Sequence, residues 1–118
     1  MTKKAIDIDD VLERVQDDQE LLVELLDIFQ EDYGQKRVSL GDYVEAGDYE
    51  QIKNTIHSLK GAAGNISAVD VHATCAHIEH LAEKQDVESI KSQIGILDQQ
   101  YAVLQECIKE VKKSFSRS

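Results

Sequence analysis

The chain predicts an all-α fold, an antiparallel up-and-down four-helix bundle with a short N-terminal capping helix. Two observations carry that prediction. Apolar residues recur at steps of three and four through four long stretches, the spacing that gathers side chains on one face of a helix. The composition, 42% hydrophobic and 31% charged with no proline, no tryptophan and 5% aromatic, favours uninterrupted helices over strands and turns. A chain of 118 residues buries one core, so residues 1–118 are read as a single domain.

In the opening element, Ile8, Val11, Leu12 and Val15 keep helical spacing behind Asp7, a candidate N-cap. It is too short to stand alone and must lean on something larger. From Asp18, a second capping residue, Leu22, Leu25, Leu26, Phe29, Tyr33, Leu40 and Val44 continue one stripe to Gly47. If unbroken, this helix is about 42 Å long at 1.5 Å per residue. Gly34 and Gly41 each cost about 1 kcal/mol relative to alanine inside it, and a kink near Gly34 is left open.

Gly47 followed by Asp48 reads as a helix stop and a new N-cap. Tyr49, Ile52, Ile56, Leu59 and Ala63 then define the buried face of a third helix, ended or bent at Asn65 to Ser67. Val71, Cys75, Ile78 and Ala82 form a fourth stripe closed by Gln85 and Asp86. The last is the most regular, from Ile90 through Ile94, Leu97, Tyr101, Leu104, Ile108 and Val111 to Phe115, with a frayed polar tail over Ser114 to Ser118.

Twenty-three acidic against thirteen basic residues give a formal charge of −10, which repels phosphate backbones and anionic lipid surfaces. Nucleic acid is therefore set aside as a partner. No run of apolar residues is long enough for a membrane span and none follows the N-terminal lysines, so a cytoplasmic protein without membrane insertion is expected. Cys75 and Cys107 lie apart, without a CxxC or Cys/His cluster, and are read as buried reduced thiols.

Chemistry is concentrated in His57-Ser58-Leu59-Lys60-Gly61-Ala62-Ala63-Gly64-Asn65-Ile66. His57 falls about 120° from the centre of the buried face, so it points outward. Gly64 lies about 20° from it two turns on, and Gly61 about 40° to the other side one turn on, which sets the imidazole over bare backbone. Glycine within a helix sacrifices stability for close approach, so two beside one exposed histidine mark a place that another molecule must reach. Lys53 at i−4 and Lys60 at i+3 put two ammonium groups on the same side, a local anion site in an acidic protein. Histidine is a competent nucleophile near neutral pH, and lysine can neutralise an incoming phosphoryl group. Such a transfer needs mainly in-line positioning and electrostatic stabilisation, and no enclosed pocket.

These residues resemble the histidine phosphotransfer (HPt) domains of multistep phosphorelays, whose signature HxxKGxxxx reads here as His57, Lys60 and Gly61, with Gly64 and the Asn65-Ile66-Ser67-Ala68 continuation. The likeness spans nearly the whole chain; Ser67 departs from it, standing where glycine is common. The resemblance implies that His57 accepts a phosphoryl group from a receiver-domain aspartate and passes it to a response-regulator aspartate, with Lys60 assisting. It implies as partners response-regulator receiver domains and a hybrid sensor histidine kinase. It implies no cofactor and no metal in the chain itself, magnesium belonging to the receiver. A carrier of this kind is a monomer and has no kinase activity; no nucleotide-binding loop occurs in the sequence. The family also implies a Glu or Gln from the next helix against the imidazole, at the position of Glu79, which periodicity places about 60° from its helix's core centre. Two rival readings remain: an adaptor bundle in which His57 is chemically idle, and a metal-binding bundle using His77 and His80 of the His72, His77 and His80 group.

Overall fold

A computed structural model describes residues 5–115, which form five α-helices and no strand. They are α1 (Ile8–Arg14), α2 (Gln19–Ala46), α3 (Tyr49–Asn65), α4 (Val69–Glu83) and α5 (Val87–Phe115). The four long helices close a ring: α2 packs against α3 and α5, and α4 against α3 and α5. Connections of two or three residues between successive long helices leave no room for a crossover, so each neighbour runs antiparallel. The expected tail from Ser116 on lies outside the described residues, while Ser114 and Phe115 belong to α5.

Caps fix the helix ends. Carboxylates of Asp7, Asp18 and Asp48 accept the backbone N–H three residues on, satisfying donors that the first turn leaves open. Gly47 closes α2 at φ 66°, the left-handed conformation glycine takes without a Cβ clash. Left-handed residues also follow α1 (Gln16, Asp17), α3 (Ser67) and α4 (Gln85), so every connection turns on one.

Gly34 does not break α2, which is continuous from Gln19 to Ala46. The reason is tertiary: Phe29 and Tyr33 before it and Leu40 and Val44 after it are all buried in one core, and that burial outweighs a propensity deficit of about 1 kcal/mol. The same face meets α5 through Tyr33 stacked on Tyr101, ring centroids 3.7 Å apart, and through Arg37, which donates to both oxygens of Asp98 at 2.7 and 2.9 Å. Lys112 of α5 reaches back to Asp27 and Gln30.

The short α1 caps one end of the bundle. Val11 is fully buried, the Asp7 N–H donates to the Ser67 carbonyl at 2.9 Å, and the Ser67 hydroxyl donates to Asp10. Ser67 and then Arg14 hold the Asp10 carboxyl below its usual range. The opening helix is thus fastened to the α3–α4 connection. Cys75 is buried, as expected, but Cys107 is only half-buried; both thiols are free, and burial pushes the Cys75 thiol up to about 12.

A Cβ added at Gly34 meets nothing within 4 Å, so Gly34→Ala should stabilise the fold by about 1 kcal/mol through helix propensity alone. Urea unfolding followed by circular dichroism reads this directly, and a lowered midpoint would contradict it.

Candidate functional site

Ile52, Ile56, Leu59 and Ala63 of α3 are fully buried, which turns the neighbouring His57 away from the core. Its side chain is 66% exposed. The flank of α3 carrying His57 runs beside α4, whose Ile78 is fully buried and whose Glu79, one position on, leans toward α3 with its side chain only 16% exposed. The Glu79 carboxylate bridges two groups: Oε2 lies 2.8 Å from His57 Nδ1, and Oε1 accepts from Lys60 Nζ at 2.6 Å.

That geometry assigns the tautomer. The Lys60 hydrogen bond first, and then that from His57, hold the Glu79 carboxyl below its ordinary value of 4.5, so it is an ionised acceptor near neutral pH. An ionised carboxylate accepts only, so Nδ1 must carry the proton it donates, and the lone pair of the neutral ring sits on Nε2. Nε2 faces solvent with no protein partner among the described residues.

Lys53 is placed differently from Lys60: its ammonium pairs with Glu83 at 2.9 Å, one helical turn along the same seam. The hydrogen bond that Lys53 donates to Glu83 raises its ammonium above the usual value. At Gly61 an added Cβ meets nothing within 4 Å, so no neighbour in this chain requires the glycine. Gly64 departs from the angular reading of bare backbone, because an added Cβ there would sit 3.4 Å from His72 Cδ2. The ring of His72 on α4 covers this glycine.

Two partners on this flank, Glu83 and His72, escaped the sequence reading. The signal existed: His72, Ala76, Glu79 and Glu83 share one flank of α4 by steps of three and four, matching Gly64, Lys60, His57 and Lys53 on α3. Pairing the two stripes needed the register across the connection. His77 and His80 are exposed, and among the described residues no group of three or more His, Cys, Asp or Glu is placed to hold a metal ion. No helix among them is long and apolar enough to cross a membrane.

The bundle thus holds an exposed imidazole by its inner nitrogen on a carboxylate, with a lysine one turn away, and leaves the outer nitrogen open to a partner molecule. The chain belongs to the Hpt domain family, whose model matches residues 24–114. Among solved structures it is similar to that of histidine-containing phosphotransfer protein B (HptB) from Pseudomonas aeruginosa PAO1, with a TM-score of 0.87 and 25% sequence identity over 96% of this chain and 98% of that one. No curated protein matches it. The fold and family together make the chain a phosphorelay intermediate of two-component signalling.

Because the Glu79 carboxyl titrates lower in the folded chain than in the unfolded one, its pairing contributes stability above its unfolded value and loses it as pH falls through the folded value, below 4.5. The stability advantage of the wild type over Glu79→Gln should therefore shrink on acidification through that range. Urea titrations of both proteins across it test this; an advantage that persists fully in acid would contradict the ionised pairing.

Proposed function

We propose that His57 is the residue that carries the phosphoryl group. The observation that carries this reading is the ring itself, exposed, with Nδ1 held by Glu79 and Nε2 open to an approaching partner. The Nε2 lone pair attacks the phosphorus of a receiver's aspartyl phosphate; the N–P bond forms as the P–O bond to the aspartate breaks, and the aspartate leaves as carboxylate. The ring then carries positive charge, which the Glu79 carboxylate stabilises through the Nδ1 proton. Transfer onward to a second receiver runs the same steps in reverse.

Lys60 lies one turn along α3 from His57 and supplies the cation nearest the ring, able to exchange its Glu79 contact for a phosphoryl oxygen as charge builds there. Lys53, held by Glu83, contributes to the field at longer range. Gly61 keeps the surface beside the ring low. On this reading the chain works as a cytoplasmic monomer between the receiver of a hybrid sensor histidine kinase and that of a response regulator. It has no kinase chemistry of its own, and magnesium is bound in the receiver.

Incubation with a phosphorylated receiver domain should place acid-labile label on the wild type and none on His57→Gln. Label persisting on His57→Gln, or receiver binding without any label, would replace this reading with that of an adaptor. Lys60→Ala should slow transfer by about tenfold to a hundredfold, since it removes one charge-stabilising group, with a cooperative melting transition retained because the half-buried side chain lies outside the apolar core. Unchanged transfer rates would remove Lys60 from the chemistry.

A further inference from the structure

The α3–α4 seam is not uniform along its length. Toward one end it is filled by charged pairs, Lys53 with Glu83 and then Glu79 with both His57 and Lys60. Beyond the imidazole the flank carries Lys60, turned onto Glu79, and then Gly61 and Gly64 on α3 and Ala76 on α4, these three bearing no more than a methyl group. This bare trough ends at His72, an exposed side chain whose Cδ2 and Nε2 lie 3.4 and 3.8 Å from where a Gly64 Cβ would stand. The Cδ2–Nε2 edge of the ring therefore faces α3, which leaves Nδ1 on the side away from Gly64.

Gly64 is seven residues from His57, about 10.5 Å along the helix at 1.5 Å per residue. A standard protein contact covers about 800 Å² on each partner, a disc of about 16 Å radius, so a receiver centred on His57 reaches the end of the trough. Past Lys60, His72 is the next side chain larger than a methyl on these two flanks. A shallow recess of about 210 Å³ adjoins the ring, bordered also by Asp10, Arg14, Gly64, Ser67 and Val69.

We infer that His72, whose ring lies over Gly64, is a specificity-determining residue of the receiver-docking face, hydrogen-bonding the receiver through Nδ1. This rests on the proposed transfer through His57. The role is in recognition: His72 touches the receiver, not the transferred phosphoryl group.

The test is steady-state phosphotransfer from receiver domains charged with acetyl phosphate to the full chain, with KM and limiting rate separated. His72→Ala and His72→Phe should each raise KM about three- to tenfold, the worth of one interfacial hydrogen bond, with the limiting rate within about twofold of wild type. His72→Asn, which returns a polar atom near the place of Nδ1, should recover most of the loss. Gly64→Val, whose methyls extend into the ring, should raise KM in the wild type and add nothing in His72→Ala, a coupling that separates displacement of the ring from plain access. Full activity of His72→Phe would overturn the polar contact, and a Gly64→Val effect undiminished in His72→Ala would overturn recognition through a ring lying over Gly64. A wild type that accepts no label from any charged receiver would overturn the His57 reading and this inference together. A labelled wild type with unaltered His72→Ala kinetics would overturn this inference alone.

Discussion

The arrangement of the seam depends on the three residues that join α3 to α4. Ser67 takes a left-handed φ of 55°, Ala68 N–H returns to the Ala63 carbonyl at 2.9 Å, and Ser67 N–H to that of Gly64 at 3.1 Å. So tight a reversal admits one register between the two helices. With that register set, each flank residue of α3 meets a determined partner on α4: Gly64 meets His72, His57 and Lys60 meet Glu79, and Lys53 meets Glu83. A slip of one residue would rotate Glu79 by about 100° and detach the imidazole from its carboxylate. The fastening of α1 onto Ser67 braces the same reversal from outside, through the Asp7 N–H and the Asp10 carboxylate. Serine in place of the family's usual glycine costs backbone freedom at this position, and its hydroxyl returns a hydrogen bond that glycine cannot make.

Carboxylate sharing at Glu79 links architecture to chemistry. Oriented by one nitrogen, the ring has a single tautomer and therefore a single nucleophilic atom. The ammonium of Lys60 is held beside the ring by the same acceptor. Neither contact demands a cavity, which is why two packed helices and a short loop suffice for a carrier.

Much of the fold could be read before any coordinates. The aspartate caps at Asp7, Asp18 and Asp48, the glycine stop at Gly47 and the apolar stripes of all five helices are local features, and local chemistry is written in consecutive residues. Continuity through Gly34 was not, because it is decided by burial of Phe29, Tyr33, Leu40 and Val44 against other helices, a non-local energy larger than the glycine penalty. The outward direction of His57 followed from its angle to Ile52, Ile56 and Leu59. The company it keeps did not: Lys53 lies on the side that angles predicted, yet its nearest charge is Glu83, and the space above Gly64 holds a histidine from the next helix. Angles on one helix say which way a residue faces, and only the inter-helix register says what stands there.

The openness of His57 has a consequence for the lifetime of the message. An imidazole two-thirds exposed on a helix flank gives water the same access as a protein partner, with no lid over it among the described residues. On the proposed reading a phosphoramidate formed there is unshielded, and its persistence rests on the slow hydrolysis of the N–P bond near neutral pH. Leakage then sets a clock, and the relay remains faithful only while encounters with receivers outpace it.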